Sequence, residues 1–92
     1  MSEYIEIESE FSTRPDTILI HTNLRLTSGG EERYESSAAM EEGSPLAQTL
    51  ATIEGLLELV ISGSEIVVTF RPETEWHTIV ADISAAIRDF YL

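Results

Sequence analysis

The sequence predicts an α+β fold, a two-layer sandwich. A mainly antiparallel five-stranded sheet carries two helices on one face, in the order β-β-β-α-β-β-α. Three observations predict it. Apolar residues alternate with period two in YIEIE and in the adjoining runs LLELVIS and EIVVTF, and TILIHTNLRL is rich in β-branched residues. Helical spacing of apolar residues appears over 46–53 and again from Trp76 to Phe90. Clusters of Gly, Pro and Ser separate these runs into short elements.

Taken in order, Tyr4 to Glu8 is a strand with Ile5 and Ile7 inward. Ser9 to Asp16 breaks the alternation, and Pro15-Asp16 signals a turn. Thr17 to Leu26 is expected to be the longest strand. Ser28-Gly29-Gly30-Glu31 forms a hairpin tip, from which Glu32 to Ser36 pairs back as a short edge strand. Ala38 to Gly43 is a Glu-rich approach, with Ala38-Ala39-Met40 suited to one added helical turn. Ser44 is a favoured N-cap and Pro45 suits the first helical position, where a missing N–H costs nothing. Leu46, Leu50 and Ile53 then make one apolar stripe on a helix of about three turns. Gly55 stands where a left-handed C-cap is wanted, with Leu57 closing over the last turn.

Two strands follow, joined at Ser62-Gly63-Ser64. Leu57, Leu59 and Ile61 of the first, with Ile66, Val68 and Phe70 of the second, are expected to meet the helices. Leu56, Glu58 and Val60, with Glu65, Val67 and Thr69, are expected on the open face. Arg71-Pro72 ends the fifth strand, since proline cannot donate to a ladder. Thr74 is the expected N-cap of the last helix, with Glu73 and Glu75 near its positive end. Trp76, Ile79, Val80, Ile83, Ile87 and Phe90 supply its apolar face; Trp76 could serve as a recognition aromatic, but at the first turn of an amphipathic helix it is expected in the core.

The ninety-two residues make one domain, 1–92, large enough to fold without disulfides or a structural metal. With no cysteine, a thiolate metal site is excluded. No apolar run is long enough to span a bilayer, and MSEYIEIESE has neither the basic nor the apolar region of a signal peptide, so the expected location is the cytoplasm. Seventeen acidic residues against five arginines, and no lysine, give a net charge of −12. That field repels phosphate backbones and anionic lipid, which argues against nucleic acid and membrane as partners. Two explanations of the charge stay open: a basic partner, or adaptation to high intracellular salt.

The candidate sites are few. His21 and His77 are the two imidazoles, with no second His at metal-ligand spacing from either. Glu73, Glu75 and His77 lie close enough in sequence to hold a divalent ion loosely, although a solvated helix start explains them as well. Glu6, Glu8 and Glu10 share one strand face and read as an exposed or edge-protecting ladder. Gly29-Gly30 leads into EERYE rather than a helix start with Lys, so it is not a phosphate loop. No cofactor is expected. The open sheet face around Leu56, Glu58, Val60 and Val67 is the expected partner-binding surface.

The stretch SPLAQTLATIEGLLELVISGSEIVVTF, followed by EWHTIVADISAAIRDFYL, resembles the N-terminal domain of Nfu/NifU-type iron–sulfur scaffold proteins. The matching residues are Ser44, Pro45, Leu46, Ala47, Ile53, Gly55, Val68, Thr69, Trp76, Ile83, Ile87, Asp89 and Phe90. The resemblance is good over 33–92 and weaker before it, where Ser12-Thr13-Arg14-Pro15-Asp16-Thr17 stands in place of the family's Thr-Pro-Asn turn. Most of these are core or capping positions. In the family, cluster ligation belongs to a separate C-terminal Cys-x-x-Cys domain, which this sequence, ending at Leu92, is expected to lack. The resemblance therefore implies a non-enzymatic interaction or accessory module associated with iron–sulfur cluster assembly, whose partner is a scaffold or client protein. The alternatives are a divalent-metal-binding protein using carboxylates and His77, and a homodimeric domain with no cluster role.

Overall fold

The structure, a computed structural model, describes residues 5–27 and 29–91. Its elements are β1 (Ile7–Phe11), β2 (Thr17–Thr22), β3 (Glu32–Tyr34), α1 (Ser37–Glu41), α2 (Pro45–Leu50), β4 (Leu56–Ser62), β5 (Glu65–Phe70) and α3 (Trp76–Tyr91). The strands form one sheet in the order β1-β2-β5-β4-β3, and every pairing is antiparallel. The helices cover one face of it. Ile18, Ile20, Leu59, Ile61, Ile66, Val68 and Phe70 point from the sheet into a core shared with Met40, Leu46, Leu50, Ile79, Ile83 and Ile87. The α+β sandwich is thus as expected, with Ala38-Ala39-Met40 forming the added helical turn within α1.

The bounds and turn of the β4–β5 hairpin match the sequence reading to the residue. Its loop is Gly63-Ser64, with Ser62 opposite Glu65. Gly63 has φ +61 while Ser64 has negative φ, the pattern of a type II′ turn that suits the right-handed strand twist.

Elsewhere the structure corrects the reading. The first strand begins at Ile7 and includes Ser9, Glu10 and Phe11, which were expected in a loop. Tyr4 lies outside the described residues. β2 stops at Thr22 instead of Leu26, so β4 is longer. The Thr22 hydroxyl accepts from Leu24 N–H at 3.1 Å and donates to Ser64 C=O at 2.9 Å, a local turn that competes with strand continuation.

The chain then crosses the end of the β4–β5 hairpin, where Leu26 N–H donates to Gly63 C=O at 2.8 Å and Leu26 is buried. β3 therefore pairs with β4 at the far edge and does not form a hairpin with β2. Of the expected tip, Ser28 lies outside the described residues.

Helix α2 is capped as expected, the Ser44 hydroxyl accepting from Ala47 N–H, but it ends at Leu50 after fewer than two turns. Thr49 and Thr52 return their hydroxyls to the carbonyls of Pro45 and Thr49, and Ile53 N–H donates to Leu50 C=O in a tightened turn. Ile53 stays buried, so the apolar stripe outlasts the helix. Gly55 does take positive φ, +91, but in the turn that enters β4 rather than at a helix end.

A bulge between Leu56 and Glu58 then reverses one pair of expectations. Leu56 turns into the core at 3% exposure, and Leu57, expected inside, is exposed. The extra residue of a bulge shifts the inside–outside alternation by one, while Leu59 and Ile61 keep the expected facing.

In α3 the first turn is also shifted. Glu75 C=O accepts from Thr78 and Ile79 N–H, placing the cap at Glu75, one residue past Thr74. Trp76 and Phe90 are exposed, and the buried ridge is Ile79, Ile83 and Ile87.

One polar relay ties the β3 edge to α2. The Tyr34 hydroxyl donates to Glu32 Oε1 at 2.6 Å and accepts from Ser44 N–H at 3.2 Å. Gly43 makes this possible, because a Cβ there would collide with the Tyr34 ring.

Candidate functional site

With all helices on one side, the described residues leave the other face of the sheet uncovered, and the strand registers arrange its residues in rows. Glu10, Leu19, Val67, Val60 and Arg33 stand opposite one another in sequence across all five strands. The middle three are half-buried apolar side chains, and the ends carry opposite charges. A second row runs Glu8, His21, Glu65, Ser62, and a third Thr17, Thr69, Glu58. Of the residues expected on this face, Glu58, Val60 and Val67 are there. Leu56 is not, for the reason given by the bulge, and Leu19 takes its place in the apolar row.

His21 is the one imidazole on this face. Its Nε2 lies 3.1 Å from Glu10 Oε2 and its Nδ1 2.7 Å from Glu65 Oε2. The hydrogen bond to Glu10 raises its pKa above the usual 6.5. Partial burial opposes the rise, and the nearby charge of Glu65 adds to it. At the β3 edge, burial pushes the Glu32 carboxyl upward, but hydrogen bonds from Ser44, Tyr34 and Thr27 outweigh it and leave the group below its usual 4.5.

The other expected cluster, Glu73, Glu75 and His77, is only partly gathered. His77 Nε2 meets Glu75 Oε2 at 2.7 Å. Among the described residues, no group of three or more His, Asp or Glu side chains is placed to hold a metal ion. A cleft of about 610 Å³ opens where α1, the turn after α2 and α3 approach, and Arg71, Thr74, Thr78 and Asp82 line it. Neither histidine does. No helix among the described residues is long and apolar enough to cross a membrane.

Comparison with known proteins decides the family. The family model described as scaffold protein Nfu/NifU, N terminal, matches residues 7–92. The chain belongs to the Nfu/NifU N-terminal family. Its match reaches back through β2 to β1, further than the motifs after residue 33 suggested. No curated protein matches the chain.

Solved structures share the fold at low identity. A NifU-like protein from Saccharomyces cerevisiae superposes with TM-score 0.77 at 14% identity, covering 97% of this chain and 82% of that one. A protein from Staphylococcus aureus gives 0.72 at 13% identity, covering 89% and 98%. One from Staphylococcus epidermidis gives 0.61 at 14%, covering 92% and 98%.

In this Nfu/NifU N-terminal domain the surface feature missed in sequence is an aromatic pair. Trp76 packs edge-to-face on Phe11, ring centroids 4.8 Å apart, and both are exposed, at 42% and 55%. Trp76 precedes the buried ridge of α3 and sits over the end of edge strand β1, where Phe11 packs against it. The one available signal was Phe11 itself, a large apolar residue in a stretch read as loop.

Proposed function

We propose that this domain is a non-enzymatic interaction module in iron–sulfur cluster assembly, docking a cluster scaffold or an iron–sulfur client protein through the open face of its sheet. The observation that carries the proposal is the uncovered apolar row Leu19, Val67 and Val60, bracketed by Glu10 and Arg33 and edged by Glu58. Membership of the Nfu/NifU N-terminal family supports the pathway. These 92 residues contain no cysteine, so they supply no thiolate ligand for a cluster. What this face contributes is position and affinity: an apolar centre to desolvate, and charges at its rim to set orientation.

The test is co-purification from the native host at its own salt concentration, comparing the wild type with Val60→Asp/Val67→Asp. A cysteine-bearing scaffold or iron–sulfur protein retained by the wild type and lost by the variant is the expected result. Recovery of no such protein counts against the pathway. Equal recovery by a folded variant removes the open face as the docking surface. Light scattering that shows a concentration-dependent homodimer abolished in the variant would assign the face to self-association instead.

A further inference from the structure

The outer edge of β1 offers a second surface, and its argument does not rest on the iron–sulfur role. β1 is the first strand of the order β1-β2-β5-β4-β3, so its outer backbone N–H and C=O groups have no strand partner among the described residues. An edge of this kind accepts an added strand. Its two sides differ in chemistry. Glu8 and Glu10, opposite His21 and Leu19, lie on the open-face side. Ser9 and Phe11, opposite the buried Ile20 and Ile18, lie on the helix side. There a cavity of about 110 Å³ is lined by Ser9, Glu10, Phe11, Ile18 and Trp76. Carboxylates and an aromatic-walled cavity thus alternate with period two, a spacing that matches an extended segment.

We infer that the β1 edge and the Phe11–Trp76 cavity together dock an extended segment of a partner protein in which arginine or lysine alternates with apolar side chains. The cationic residues face Glu8 and Glu10, and an apolar residue enters the cavity that the two rings help to wall. Backbone pairing along β1 supplies affinity, and the alternation supplies specificity. A second copy of this chain is the wrong occupant. Pairing β1 with itself brings Glu8 and Glu10 of one copy close to those of the other, and like charges across strands destabilise a pair. The carboxylates that protect the edge from self-association therefore also select a basic partner. The net charge of −12 steers encounter in the same direction.

Trp76 is the single tryptophan, so its emission reports on this cavity directly. The test titrates the full chain with a capped heptapeptide of alternating arginine and valine. The control is a peptide of the same composition with the residues in two blocks. The expected result is a saturable change in Trp76 emission, with amide shifts concentrated at Ile7–Phe11. Affinity should fall about tenfold in Phe11→Ser and in Glu8→Gln/Glu10→Gln, the loss typical of an interface anchor. Both variants alter exposed side chains, and circular dichroism checks that each keeps its fold. Equal binding of the block peptide, or undiminished binding by folded Glu8→Gln/Glu10→Gln, would show generic attraction to an acidic surface and overturn the proposal. Shifts confined to the β3 edge, or no saturable binding, would overturn it equally.

Discussion

His21 stands between two carboxylates on different strands, Glu10 on β1 and Glu65 on β5. Its raised pKa makes the folded protein bind a proton more tightly than the unfolded chain does. The stabilisation is therefore fully present below the usual 6.5 and is lost as pH rises through the higher folded value. Denaturant midpoints measured across that window should fall with pH, and His21→Gln should flatten the fall. A midpoint that climbs through the same window would refute this assignment. Glu32 has the opposite sign. Its lowered pKa contributes stability above the usual 4.5, lost as pH falls through the folded value. Neither effect was legible in the sequence: Glu10 and Glu65 reach His21 only through the β1–β2–β5 pairing, and Ser44 reaches Glu32 only where α2 meets the β3 edge.

At the scale of the element, the turns divide into those that need glycine for backbone shape alone and those that need it for space as well. Gly63 has φ +61 and open surroundings, whereas Gly55 has φ +91 and an added Cβ would stand 2.6 Å from Thr74 Oγ1. Gly63→Ala should cost about 1–3 kcal/mol, the strain of a Cβ-bearing residue at the positive-φ first position of a type II′ turn. Gly55→Ala should cost more, because it displaces Thr74 and the turn that opens α3, where Arg71 N–H donates to Gly55 C=O at 2.8 Å. Urea unfolding of the two variants would check the ranking, and equal losses would mean that Thr74 simply rotates away. The bounds of the β4–β5 hairpin were readable to the residue because its turn, most of its alternation and its partner lie within one short stretch. Strand β3 is the short edge strand expected, but its partner was misassigned because it lies across the hairpin, and nothing in residues 23–31 encodes that crossing by period.

For the whole molecule, the net charge of −12 makes the folded state repel itself, most strongly in dilute buffer. Salt screens exposed charges beyond about 10 Å at 0.1 M. The few ion pairs among the described residues, such as Arg14–Asp16 at 3.5 Å and Arg33–Glu31 at 3.1 Å, lie at the surface and contribute little to offset the repulsion. Stability should therefore rise from low to multimolar salt. A midpoint that is flat or falls with salt would show that the acidic surface is not a burden on folding and favour a basic partner as its cause.

The sequence by itself determined the α+β class, the chain positions of most elements, the Ser44-Pro45 cap, the β4–β5 hairpin and the motifs that placed the chain in its family. These follow from periodicity, capping and turn chemistry, all of which act over a few neighbouring residues. Tertiary structure alone decided that β3 sits opposite β1 in the sheet, that Leu56 is inside and Leu57 outside, and that Trp76 meets Phe11 at the surface. Each depends on which distant strand offers a vacant edge or face. That choice is made by long-range packing, which no local pattern records.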